Sequence, residues 1–261
     1  MKEHGIKAVF FDVDGTLLSH TLNEVPQSTR DAIAELKERG IMAAVATGRY
    51  LEEYEVLPVS NIPFDAYLML NGQLILDSDR KVYAGTAIDP GETEVLVRIF
   101  NAKRIPFVLI GENRRYINYV DETVVKTQRE TKGTIPQVGR YNGEKLYQIL
   151  AFVADDQKKV LDDLLDECSI TSWNDTGIDI MPKEGGKATG IKTFISNNGF
   201  ERSETMAFGD GENDIEMLKY VGIGVAMGNA SDEVKAAADY VTDSVDDDGI
   251  ASALRHFGLI K

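Results

Sequence analysis

The chain has 261 residues, 43% hydrophobic and 27% charged, ordinary proportions for a soluble globular protein of one to two domains. Its formal net charge of −15 argues against nucleic acid or an anionic membrane as partner, because binding to a phosphate backbone relies on clustered Lys and Arg. No apolar run reaches the ~18 residues of a membrane span; the lone Cys168 has no partner for an internal disulfide and no apolar leader precedes the first strand, which together predict a cytoplasmic protein.

The first apolar run, Lys7 to Phe11, predicts a buried strand, since Ala8, Val9, Phe10 and Phe11 form the unbroken pattern of a parallel sheet covered on both faces. It stops abruptly at Asp12 and Asp14, after which Gly15 turns the chain and Thr16 supplies a hydroxyl. Acids at a strand's end sit on the carboxyl edge of an open α/β sheet, where such folds bind ligands. Two neighbouring carboxylates need a cation if both are to stay ionised, and the hard, oxygen-seeking Mg²⁺ suits them and recruits substrate phosphate as well. The chemistry this predicts is an aspartate nucleophile beside a metal. An isolated Asp-x-Asp is more often an acidic turn, so later segments decide.

Ser28 is the expected cap of a helix with Asp31 at its third position, Ala32, Ile33 and Leu36 inward, and Gly40 at its end. A strand over 41–46 follows and stops at Thr47-Gly48-Arg49, completing a βαβ unit. Parallel neighbours end on one edge, so Thr47 is expected near Asp12, offering its hydroxyl and adjoining N–H groups to phosphate oxygens. A strand over 67–70 turns at Asn71-Gly72 into Leu74-Ile75-Leu76, a hairpin signal.

From about Tyr83 the pattern changes to an α+β module. Helices are expected over 92–103, 121–131 and 155–168, the last with Val160, Leu161, Leu164 and Leu165 inward and Cys168 as a small packing residue at its end. Strands are expected over 107–110, 147–153, 170–173 and 178–181. After Pro182 the first pattern returns. Lys187 opens a helix through Ile191 and Phe194, and a strand over 205–208 ends in Gly209-Asp210-Gly211-Glu212-Asn213-Asp214. A helix with Ile215 and Leu218 inward, a strand over 223–227, a helix over 231–238 and a short strand at Tyr240-Val241 follow, then a solvated turn at Asp246-Asp247-Asp248.

The third acid-tipped strand brings Asp210 to the rim that holds Asp12 and Asp14. Here the chain resembles the haloacid dehalogenase (HAD) superfamily, specifically Cof-type phosphatases with a large C2 (subclass IIB) cap between the second and third motifs. The resemblance is carried by Asp12-Val13-Asp14-Gly15-Thr16, Thr47-Gly48-Arg49, Asn71-Gly72, Lys187, the segment from Gly209 to Asp214, and Met227-Gly228-Asn229-Ala230. It implies an α/β fold: a Rossmann-like open parallel-sheet core formed by residues 1–82 and 183–261, with an inserted α+β cap domain, 83–182, that governs substrate specificity.

The resemblance also implies roles. Asp12 attacks phosphorus to form an aspartyl-phosphate; Asp14 protonates the departing oxygen, then deprotonates the hydrolytic water. Mg²⁺ is held by Asp12, the backbone carbonyl of Asp14 and Asp210, with Asp214 orienting that set from behind. Thr47, Gly48, Lys187 and Asn213 hold the phosphoryl oxygens. The transporting ATPases of the superfamily carry threonine at the position of Asp14, so hydrolysis is expected here. The expected substrate is a small phosphorylated metabolite, foremost a sugar phosphate, and the expected state a monomer or weak homodimer. Arg114, Arg115, Trp173 and Asn174 are candidate cap selectors; Arg49 is expected either on substrate or on the acid cluster, and His20 at the site's edge. The competing readings are a phosphomutase and a non-catalytic sugar-phosphate sensor.

Overall fold

The computed structural model describes residues 5–130, 133–153, 155–172 and 176–261. In chain order its elements are β1 Ala8–Phe11, α1 Gln27–Glu38, β2 Met42–Ala46, α2 Leu51–Glu55, β3 Ala66–Met69, β4 Leu74–Asp77 and β5 Val82–Gly85. There follow α3 Pro90–Ala102, β6 Phe107–Ile110, β7 Arg115–Ile117, α4 Glu122–Glu130, β8 Gln148–Phe152, α5 Asp155–Asp162, β9 Cys168–Ser172 and β10 Gly177–Pro182. The chain closes with α6 Lys187–Asn198, β11 Thr205–Gly209, α7 Ile215–Tyr220, β12 Ile223–Ala226, α8 Asp232–Ala237, β13 Tyr240–Val241 and α9 Gly249–His256. Two compact units result, Met1–Ala84 with Gly186–Lys261, and Gly85–Gly185.

In the first unit an eight-stranded sheet runs in the order β13-β12-β11-β1-β2-β3-β4-β5. The pairs from β13 through β3 are parallel, and the hairpin partner β4 runs antiparallel to β3. β1 lies centrally and all four of its residues are fully buried, as its unbroken apolar pattern requires. Ala8 and Phe10 pack with Ile191, Phe194 and Ile195 of α6 and with Met217 and Leu218 of α7; the Phe10 and Phe194 rings meet edge-on at 5.4 Å. Phe11, alternating to the other face, stacks on Phe208 at 5.3 Å.

The β3–β4 hairpin forms around Asn71-Gly72, with Met69 opposite Leu74. Leu70, Asn71 and Gly72 all have positive φ, so the turn is a left-handed four-residue one. Gly72 and Gly190 of α6 touch backbone to backbone: a Cβ on Gly190 would lie 2.7 Å from the Gly72 Cα. Only glycine permits that approach.

One local expectation is corrected in this unit. Ser28 is not the cap of α1; the helix starts earlier, with Pro26 in the cap position, and the Ser28 hydroxyl instead donates to Asp248. The acidic turn is tied down as well as solvated, because Ser19 also donates to Asp246, at 2.5 Å. β5, α2 and α9 were not expected, and α9 packs against α1.

The second unit has an antiparallel five-stranded sheet, β7-β6-β8-β10-β9. Phe107, Leu109, Ile149, Ala151, Ile178 and Ile180 form one core with Leu96 and Phe100 of α3 and with Leu161 and Leu165. The expected helix to Cys168 is wrong in extent: α5 stops at Asp162, Val160 and Leu164 are more than half exposed, and Cys168 begins β9. Cys168 is buried within the same core, in the packing role expected of it, and burial pushes its thiol up. Trp173, Asn174 and the end of the predicted 121–131 helix lie outside the described residues. Among the described residues no helix is long and apolar enough to cross a membrane.

Candidate active site

Parallel pairing aligns the strand ends. Phe11 lies opposite both Val45 and Phe208, and Asp12 N–H donates to the Phe208 carbonyl at 3.0 Å. The residues that follow β1, β2, β11 and β12 therefore emerge on one edge: Asp12, Thr47, Asp210 and the stretch leading to Asn229.

Asp12, Asp210 and Asp214 each present a carboxylate oxygen, all within 4.8 Å of one another. Lys187, at the first turn of α6, sends its wholly buried ammonium between two of them, 2.5 Å from Asp12 Oδ1 and 2.6 Å from Asp214 Oδ1. The second oxygen of Asp214 accepts from the N–H groups of Asp210 and Gly211 at 3.0 and 2.9 Å, so Asp214 braces the loop as well as the lysine. Thr16 Oγ1 donates to Asp210 Oδ1 at 2.8 Å. Gly15 has φ of +80°, and a Cβ there would fall 2.1 Å from Asp210 Oδ2, so the turn after Asp14 admits only glycine.

Three buried or half-buried carboxylates face one ammonium, leaving an excess of negative charge in a desolvated pocket. Burial pushes the Asp12 carboxyl up, to about 8, with Lys187 opposing and Asp214 adding to the effect. Burial likewise pushes Asp210 up, to about 6, against the Thr16 hydrogen bond. Burial also works against the charge of Lys187, but Asp12 and Asp214 outweigh it and hold the ammonium above its ordinary value. An all-oxygen donor set with surplus negative charge fits a hard divalent cation.

Asp14 stands apart from this trio. Both its oxygens are taken by Arg49, whose Nε and Nη2 donate at 2.6 and 2.7 Å. Arg49 thus joins the acid cluster, one of the two destinations the sequence left open. Thr47 is buried, and its hydroxyl accepts from Arg49 N–H at 3.2 Å. Gly48 lies against Asn71, whose Oδ1 accepts from Asn213 Nδ2 at 3.1 Å. The hairpin and the Asp210 loop are thereby joined beside Lys187.

Asn229, which the sequence places in a motif without a role, bridges two loops of the site. Its Nδ2 donates to the Gly15 carbonyl at 2.9 Å and to Asp210 Oδ2 at 3.3 Å, while its Oδ1 accepts from Val245 N–H at 3.0 Å. The signal was available: it follows β12, which ends on the same edge. His20 is exposed. Arg114 is bound to Glu144 at 2.8 Å and lies over the Tyr116 ring, and Arg115 donates to Thr134, so both have structural partners within their own unit.

A parallel α/β sheet with acid-tipped strand ends and a buried lysine defines a phosphoryl-transfer class of site, and comparison with known proteins agrees. The sequence profile of the haloacid dehalogenase-like hydrolases matches residues 9–254, and the chain belongs to that family. YkrA of Bacillus subtilis (strain 168), provisionally named a phosphatase, is 34% identical over 259 residues, covering 98% of this chain and 99% of its own. YcsE of the same bacterium, a 5-amino-6-(5-phospho-D-ribitylamino)uracil phosphatase, is 31% identical over 258 residues, covering 97% and 96%. The solved structure of the HAD subclass IIB sugar phosphatase BT4131 matches with a TM-score of 0.81 at 33% identity, covering 97% of this chain and 100% of that one. The protein is a phosphatase, a phosphoric monoester hydrolase.

Proposed function

We propose that this phosphatase is Mg²⁺-dependent and hydrolyses small phosphate monoesters, sugar phosphates foremost, through an aspartyl-phosphate on Asp12. The observation that carries the reading is the buried Lys187 ammonium shared by Asp12 and Asp214, with Asp210 in the same cluster. Four residues scattered along the sequence converge on one point, and a nucleophilic carboxylate held beside a fixed cation is what phosphoryl transfer requires.

Asp12 Oδ bonds to phosphorus as the ester P–O bond breaks, and the departing oxygen takes its electron pair together with a proton from Asp14. Water then attacks phosphorus, gives a proton back to Asp14, and releases Asp12 and inorganic phosphate. Lys187, Thr47, Gly48 and Asn213 hold the phosphoryl oxygens, so that the charge of the transition state meets donors already in place. Asp12, the Asp14 carbonyl and Asp210 would hold Mg²⁺, and Asp214 supports them through Lys187 and the loop N–H groups. When bound, the ion neutralises phosphoryl charge that would otherwise repel the carboxylates.

The sugar-phosphate class draws on BT4131, named a sugar phosphatase, and on YcsE, named for a phosphoribityl compound. Both names describe polyhydroxylated leaving groups. The unit Gly85–Gly185 is assigned the selection of that alcohol, and the lone buried Cys168 favours the cytoplasm. The test is beryllofluoride with Mg²⁺: crystals should show the adduct on Asp12 Oδ, and Asp12→Asn should abolish both adduct and turnover. An adduct elsewhere, or full activity in chelator, overturns the reading.

A further inference from the structure

We propose that Arg49 is a positioning residue for Asp14, and not a ligand of the phosphoryl group; this rests on the general acid–base role proposed for Asp14 above. Nε and Nη2 of one guanidinium grip both oxygens of one carboxylate, at 2.6 and 2.7 Å, and such a fork fixes the carboxylate plane as well as its place. Arg49 is itself anchored from both sides of its backbone. Its N–H donates to Thr47 Oγ1 at 3.2 Å and its carbonyl accepts from Leu70 N–H at 3.2 Å, so the fork projects from a fixed base.

The division of hydrogen-bond donors among the acids points the same way. Lys187 serves Asp12 and Asp214, Thr16 and Asn229 serve Asp210, and Arg49 serves Asp14. A buried cation for the phosphoryl side is therefore already present, whereas the carboxylate of Asp14, on a turn with 31% of its side chain exposed, is held by Arg49. A carboxyl group that must meet the leaving oxygen, and later a water, loses rate steeply when misplaced by as little as an ångström.

The two roles separate by leaving group. A poor leaving group, such as an alkyl or sugar phosphate, needs the proton from Asp14; p-nitrophenolate leaves with little help. The measurement is kcat/KM, which reports the first transfer and is not masked by dephosphorylation, for glucose 6-phosphate and p-nitrophenyl phosphate in wild type, Arg49→Gln, Arg49→Lys and Asp14→Asn. Inhibition by inorganic phosphate is measured in each, and circular dichroism confirms that each variant is folded.

As a positioning residue, Arg49→Gln loses at least about tenfold more on the sugar phosphate than on p-nitrophenyl phosphate, a fraction of the ~10²–10⁴ that general acid catalysis supplies. Arg49→Lys, which keeps the charge but not the fork, shows the same bias, and the bias vanishes when Arg49→Gln is added to Asp14→Asn. Equal losses on both esters, with phosphate inhibition weakened about tenfold or more, would make Arg49 a phosphoryl ligand and overturn the proposal. If Asp14→Asn itself shows no leaving-group bias, it is the acid–base reading of Asp14 that fails; if Asp14→Asn shows it and Arg49→Gln does not, only the positioning role falls.

Discussion

Adding a divalent cation should stabilise the protein at pH 8 far more than at pH 5. The folded-state carboxyls of Asp210 and Asp12 are raised from 3.8 to about 6 and about 8, with burial the largest cause for each. An acid raised on folding keeps a proton that the unfolded chain has already released, so stability falls as pH rises from about 4 through about 6 for Asp210 and on towards about 8 for Asp12. For Asp210 alone the shift corresponds to roughly 3 kcal/mol at alkaline pH, at about 1.4 kcal/mol per unit, and its partial exposure makes this an upper value. A cation competes with those protons and relieves the repulsion when they are gone. At about 100 times its Kd it contributes about 2.7 kcal/mol, which for a chain of this size is a rise in Tm of roughly 5–10 °C. The assay is thermal unfolding in chelator and in excess Mg²⁺ at both pH values, for wild type and Asp210→Asn. At pH 5 the rise should be less than half as large, and Asp210→Asn should lose most of it at pH 8. Equal rises at the two pH values, or an undiminished rise in Asp210→Asn, would refute the assignment of surplus negative charge to this cluster.

Lys187→Met leaves the buried carboxylates without their ammonium and should cost roughly 3–5 kcal/mol in urea unfolding at neutral pH, in addition to abolishing turnover; an unchanged midpoint would contradict the buried pairing. In the second unit, Leu161→Ala should cost about 2–5 kcal/mol and Val160→Ala no more than about 0.5 kcal/mol, because the first is buried and the second 58% exposed. Similar losses at both positions would return Val160 to the core.

The strand ends were legible because their signal is abrupt: an apolar run that stops at an acid needs no knowledge of partners. Asp12, Thr47 and Asp210 could be placed on one edge from the parallel pattern alone, and the structure brings them there. The grip of Arg49 on Asp14 was not legible, since periodicity gives the face of a residue but not the destination of a long side chain. α9 was missed because it begins at Gly249 after a left-handed Asp248, with no capping side chain to announce it. β5 alternates between half-buried and exposed residues and carries no apolar run. The extent of α5 was misread for the opposite reason. Leu161, Leu164 and Leu165 have helical spacing, yet the last two lie beyond the helix, and only two of the three face inward.

The contact between Gly72 and Gly190 bears on how this chain tolerates its long insertion. The polypeptide departs from the first unit at Ala84 and comes back at Gly186, one residue before the lysine whose ammonium the acids share. Because that homecoming is seated on the hairpin by main chain against main chain, with no rotamers to adjust, the amine's address is written by the hairpin. The lysine's place therefore rests on main-chain contacts made within the first unit itself.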